Sequence, residues 1–238
     1  SKIVDIKGGE PAYVWVVLAG LVGAIVWDLL TWWWGLPTSS SHALIGGFAG
    51  AGVAHAGLGS LKLEYLLKTV KFIPLAPLIG MVLGFFLMVA VYWIFRHTRP
   101  AMVDRIFRRG QLVSAALYSL GHGGNDAQKT MGVIVAVLVA SGHMSKTTML
   151  SLTDPNTLWI IVSCHVAMAF GTAFGGWRIV KTMGMKITKL RPVGGFCAET
   201  GGAIMLFGAT HAGIPVATTH PITCSILGVG ATSTLSGL

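Results

Sequence analysis

Residues 72–95, from Phe72 to Phe95, carry no charged side chain at all. A helix needs about 20 such residues to cross a hydrocarbon layer about 30 Å thick. A stretch like this constrains the fold more than any other feature of the chain, because in lipid its backbone polar groups must bond among themselves as a helix. It is not alone. Residues 13–34 are rich in Val, Leu and Trp and hold one acid, Asp28; their Trp32-Trp33-Trp34 run reads as an interfacial aromatic belt. Residues 112–140 are apolar but interrupted at 121–126, 158–177 carry no charge, and 193–211 are apolar except for Glu199. Composition agrees, with 53% hydrophobic and only 11% charged residues. A soluble domain carries about 25% charged residues, so a globule of 238 residues could not cover itself here. The same figures exclude disorder. The chain is therefore read as an all-α polytopic membrane protein.

The formal charge of +9 would suggest nucleic acid in a soluble protein. Here it is expected in basic loops on one side of a bilayer. Arg96, Arg99, Arg105, Arg108 and Arg109 form one group; Arg178, Lys181, Lys186, Lys189 and Arg191 form another. If residues 112–140 cross once, both groups face the cytoplasm. Lys62, Lys68 and Lys71 fit this less well. No nucleic acid is expected, since neither aromatic interleaving nor a recognition motif accompanies the charge. Cys164, Cys197 and Cys224 form no Cys-x-x-Cys pair and read as small buried residues. The histidines show no ligand spacing, so no metal site, catalytic group or resident cofactor is expected.

The sequence repeats. Gly35-Leu36-Pro37-Thr38-Ser39-Ser40-Ser41-His42 returns as Gly213-Ile214-Pro215-Val216-Ala217-Thr218-Thr219-His220. The offset, 220 − 42 = 178, holds through Gly50/Gly228 and Gly52/Gly230. Each copy follows an apolar span holding an acid, Asp28 or Glu199. Repeated membrane units with Gly/Pro-interrupted polar segments point to transporter binding sites. Residues 37–56 and 215–232, rich in Ser, Thr and Gly, are read either as spans or as hairpins that enter and leave on one side. As spans they give the two copies opposite orientation; as hairpins they give a parallel one.

The segment Gly121-His122-Gly123-Gly124-Asn125-Asp126 is expected to break the helix of residues 112–140, with Asn125 and Asp126 capping its second half. An intramembrane carboxylate marks a functional site by default. Asp126 can hold a cation or carry a proton. Asn125 and Gln128 offer donors and acceptors, and Lys129 can pair with Asp126 or meet an anion. A simple internal Asp–Lys pair is the structural alternative. Ser39, Ser40, Ser41, Thr218 and Thr219 supply neutral donors suited to a tetrahedral oxyanion at a helix start. His42 and His220 support these segments or exchange protons.

These motifs together resemble the PiT-type inorganic phosphate transporters. The run Gly121-His122-Gly123-Gly124-Asn125-Asp126-Ala127-Gln128-Lys129-Thr130-Met131-Gly132 is similar to that family's second-half signature. So are Gly184-Met185-Lys186-Ile187-Thr188-Lys189-Leu190-Arg191-Pro192, Phe196-Cys197-Ala198-Glu199 and the second hydroxyl segment; residues 37–46 look like its first-half segment. The resemblance covers essentially the whole chain. It implies a low-affinity symporter of inorganic phosphate coupled to a cation, built from two related halves of inverted topology with paired helical hairpins, in the bacterial plasma membrane.

Phosphate would bind at Ser39, Ser40, Ser41, Asn125, Thr218 and Thr219. Asp126, Gln128, Lys129, Glu199 and Asp28 would serve cation coupling. The expected partners are phosphate, bare or as a metal complex, a co-transported proton or sodium ion, lipid, and a second copy of the chain in a homodimer. Residues 1–95 read as a first-half repeat lacking its Asn-Asp motif, 96–111 as a basic cytoplasmic connector, and 112–238 as a truncated second half. Both ends are expected to be cut, leaving the core of a longer transporter. Sodium-coupled members of the family show Asn-Asp-x-x-Asn, and here the last position is Lys129. An ammonium there repels sodium beside Asp126, which favours proton coupling. The other readings are a sodium-coupled symporter and an uncoupled anion or sulfate channel. A membrane enzyme would need a second catalytic group beside Asp126, and the local sequence offers none.

Overall fold

A computed structural model of the chain describes residues 11–145, 147–188, 190–212 and 216–235. Among them are seven α-helices and no β-strand: α1 (Pro11–Trp34), α2 (Ser40–Ala56), α3 (Leu63–Phe95), α4 (Pro100–Ala140), α5 (Pro155–Lys181), α6 (Pro192–His211) and α7 (Thr219–Leu235). Three stretches are long and apolar enough to cross a membrane: Tyr13–Trp34, Leu63–Phe95 and Pro155–Met185. Their outer faces carry the exposed apolar side chains that lipid would cover, among them Trp15, Ile25, Phe86, Trp93 and Phe174. The repeated sequence segments at 213–215 lie outside the described residues, as do residues 1–10 and Lys189.

The expected break at residues 121–126 is absent. α4 runs through it as one helix of 41 residues. Glycine permits departure from a helix, but an apolar setting offers freed N–H and C=O groups no water, so the continuous helix wins. Gly121 serves packing instead: a Cβ there would press on Phe207 and Leu206 at 3.1 and 3.2 Å. Asn125 and Asp126 consequently lie in mid-helix and cap nothing. The hydroxyl-rich segments are not hairpins by themselves either. Each forms one 17-residue helix, α2 or α7, that packs back on the longer helix before it. Charges expected in loops stand on helices as well. Pro100, whose fixed φ suits the first helical position, starts α4, so Arg105, Arg108 and Arg109 stand on a helix and not in a loop. Lys68 and Lys71 likewise lie on α3, and Arg178 and Lys181 end α5.

The chain divides into two units that interleave along the sequence. The first draws on residues 1–34, 39–70 and 123–176, the second on 35–38, 71–122 and 177–238. In the first unit, Tyr13, Val17 and Phe48 form a core with Val133 and Val137 of α4, while Ala127 and Met131 pack on Ile160 and Cys164 of α5. The Trp32 indole N–H donates to the Gly175 carbonyl at 2.9 Å, tying α1 to α5. In the second unit, α6 is interior: Gly194, Gly195, Cys197, Ala198, Gly201 and Gly202 are all buried on it. A helix buried on several faces must carry small residues where neighbouring backbones approach.

Candidate functional site

In the first unit α2 begins at Ser40, with Ser39 as its N-cap. Ser39 is extended (φ −102°, ψ 114°), and its Oγ accepts the His42 N–H at 3.3 Å. A helix start leaves its first N–H groups without intrahelical partners, and they face whatever anion approaches. Ser39 and Ser41 are buried here, His42 is half-buried, and Ser40 is exposed.

Lys129 reaches this helix start from α4. Its Nζ donates to Ser41 Oγ at 2.6 Å and to Asp126 Oδ1 at 2.9 Å. Asp126 and Lys129 stand three residues apart on one face of α4, the spacing at which helical side chains meet. The carboxylate side chain is 10% exposed and the ammonium side chain 27%. The ammonium thus joins the buried acid to the hydroxyl-rich end of α2. Asn125 is half-buried one residue before the acid, and Gln128 is exposed. Asp28 is half-buried on α1, with the Thr31 hydroxyl bonding its backbone carbonyl and that of Trp27.

The second unit holds the matching segment. Thr218, just before α7, is buried; Thr219 and His220 are half-buried in its first turn. The Tyr118 hydroxyl of α4 donates to the Thr218 carbonyl at 3.0 Å. Glu199 lies half-buried on α6 and accepts from Ser114 Oγ, also of α4, at 2.5 Å. The site residues expected from sequence therefore fall into two sets, one in each unit. Ser39, Ser41, Asn125, Asp126 and Lys129 belong to the first; Thr218, Thr219, His220 and Glu199 belong to the second.

Sequence reasoning missed Ser114 and Tyr118. A signal was there. Val103, Phe107, Gly110, Ser114 and Tyr118 recur at helical spacing, which places two polar side chains on the core face of α4. Buried hydroxyls need partners, and that pattern announces partners without naming them.

A model of the phosphate transporter family matches residues 1–238. The chain belongs to that family. It is 53% identical over 223 residues to a protein of Rhizobium meliloti named "Probable low-affinity inorganic phosphate transporter", covering 94% of this chain and 65% of that protein. A Bacillus subtilis protein of the same name is 46% identical over 224 residues, with the same two coverages. A Mycobacterium leprae protein, again so named, is 45% identical over 216 residues and is covered over 51% of its length. The chain thus spans between half and two thirds of these relatives. A solved structure titled "The sodium-dependent phosphate transporter" superposes with a TM-score of 0.74 at 22% identity, covering 98% of this chain and 74% of that one. It shares the fold. The chain is thus a multi-pass membrane protein of a transporter family, nearly all helical over its described residues, and the relatives above are named as transporters.

Proposed function

We propose that the intact protein carries inorganic phosphate across the cell membrane by symport with protons. The names of its relatives support the substrate. The Asp126–Lys129–Ser41 bridge supports the coupling and is the observation that carries it. A sodium ion needs oxygen ligands, and here an ammonium already occupies the nearest oxygen of Asp126. Fixed positive charge at that point repels a second cation. A proton can bind the other carboxylate oxygen without displacing the ammonium.

The bridge also provides a mechanism. With Asp126 ionised, Lys129 is neutralised by its own acid. When Asp126 takes up a proton, that neutralisation is lost while the ammonium stays within reach of Ser41. The start of α2 then presents a full positive charge, the Ser39, Ser40 and Ser41 hydroxyls and the positive end of the helix dipole, a set suited to a phosphate anion. Release of the proton on the opposite side restores the Asp126 charge that neutralises Lys129 and weakens the hold on phosphate. One proton thereby raises the affinity of the site for one anion. In this reading Asn125 offers a further donor to phosphate, and Asp28 and Gln128 assist in carrying the coupling charge; in the second unit, Thr218 and Thr219 offer donors and Glu199 a carboxylate of the same kinds.

The test is phosphate uptake by the intact protein in proteoliposomes. An inward proton gradient without sodium should drive accumulation. Accumulation driven by a sodium gradient at clamped pH, and not by protons, would refute the coupling. Uptake that never exceeds equilibration under either gradient would make the protein a channel.

A further inference from the structure

One end of the second unit gathers exposed cations that phosphate transport does not use. The Phe107 ring of α4 lies 5.2 Å from Phe95 at the end of α3 and 5.1 Å from Phe196 in the first turns of α6, both edge to face. This aromatic chain brings three helix ends together. Met88, Val91, Cys197, Ile226 and Val229 continue the same core. Around it stand Arg96 and Arg99 in the α3–α4 turn, Arg105 and Arg109 on α4, and Arg191 before α6, all exposed.

The arginines of α4 lie on a defined face. Val103, Phe107 and Ser114 mark the core side of the helix. At 100° per residue, Arg105 and Arg109 fall nearly opposite that side and, four apart, above one another. Arg108 is directed differently and pairs with Asp104 at 2.9 Å. The outward face then changes character within one turn. Leu112, Val113 and Leu120 are exposed at 73%, 61% and 71%. α3 shows the same change in reverse: Trp93 and Ile94 are exposed, and the Arg96 guanidinium follows, 5.3 Å from the Trp93 ring centroid. Tryptophan marks the headgroup level of a bilayer. A cationic-to-apolar boundary on two adjacent helices is the profile of a lipid molecule, an anionic head above acyl chains.

We propose that Arg96, Arg99, Arg105 and Arg109 form a binding surface for anionic phospholipid headgroups. Guanidinium forks bond phosphodiester oxygens in pairs, and the exposed leucines and Trp93 below receive the chains. The surface distinguishes an anionic lipid from a zwitterionic one by net charge. It distinguishes a lipid from free phosphate by the apolar face beneath it.

The test offers phosphatidylglycerol and phosphatidylcholine of matched chains, at equal concentration, to the intact protein in neutral detergent, and counts retained lipid by native mass spectrometry. Phosphatidylglycerol should be retained preferentially. Arg105→Gln and Arg109→Gln should each lower the preference about fivefold, the weight of one surface cation near an anionic headgroup. Lys68→Gln, outside the surface, should leave it unchanged, and Arg105→Lys with Arg109→Lys should keep most of it. Equal retention of the two lipids, or a preference that survives the double glutamine variant, would overturn the proposal. Displacement of the lipid by millimolar inorganic phosphate would overturn it too, by making this a free-anion site.

Discussion

The helix pairs α1–α2 and α6–α7 present the same sequence repeat solved in two ways. At the 178-residue offset, Gly47 of α2 corresponds to Ser225 of α7, and Gly20 of α1 to Ala198 of α6. Both pairs cross at these positions. A Cβ on Gly47 would run into the Gly20 carbonyl oxygen, whereas the buried Ser225 hydroxyl donates to the Ala198 carbonyl at 3.0 Å. One crossing is closed by bare contact of backbones, the other by a hydrogen bond. The starts of the second helices differ as well. Lys129 meets Ser41 at α2, while neutral Tyr118 holds the Thr218 carbonyl at α7. The bonds at the two helix starts thus differ, an ammonium at Ser41 and a phenol hydroxyl at Thr218. We take the charged start as the switch and the neutral start as fixed donors.

The largest effect should come from the charged start. Asp126→Ala removes the buried acid that faces the Lys129 ammonium and should destabilise the protein by about 3 kcal/mol, measured by thermal unfolding in detergent. Asp126→Asn keeps an acceptor for Lys129, so it should fold normally while losing coupled uptake. Normal uptake by that variant would break the assignment. Lys129→Asn comes next: it recreates Asn-Asp-x-x-Asn and should move uptake from proton to sodium dependence. Unchanged ion dependence would remove Lys129 from the argument.

The crossings follow. Gly47→Ala should cost about 2 kcal/mol through overpacking, while Ser225→Ala should cost about 1 kcal/mol for its hydrogen bond. Equal costs would mean that the two crossings are not built differently. Gly46→Ala, with open space around its Cβ, should be neutral or slightly stabilising. Tyr118→Phe should cost about 1 kcal/mol of stability or less with uptake nearly unchanged; a large loss of uptake would show that the neutral start also switches.

Much of the architecture was legible in the sequence because apolar length alone dictates it. The expected 193–211 span became α6 (Pro192–His211), and 13–34 became α1 (Pro11–Trp34). The glycine run at 121–126 misled, because its composition signals a break in water but not where freed backbone groups would find no partner. The pairing of Asp126 with Lys129 was legible, being local. Its extension to Ser41, 88 residues away, was not. Neither was the Ser114–Glu199 bond across 85 residues, since only packing brings α4 against the other helices.

The central claim is that the Asp126 proton and the phosphate anion move together. The most direct measurement records external pH with an indicator dye as phosphate is added, without sodium, to proteoliposomes holding the intact protein. The account predicts alkalinisation on phosphate addition for the native protein and none for Asp126→Asn. No pH change in the native protein while phosphate enters, or an undiminished change in the variant, would contradict it.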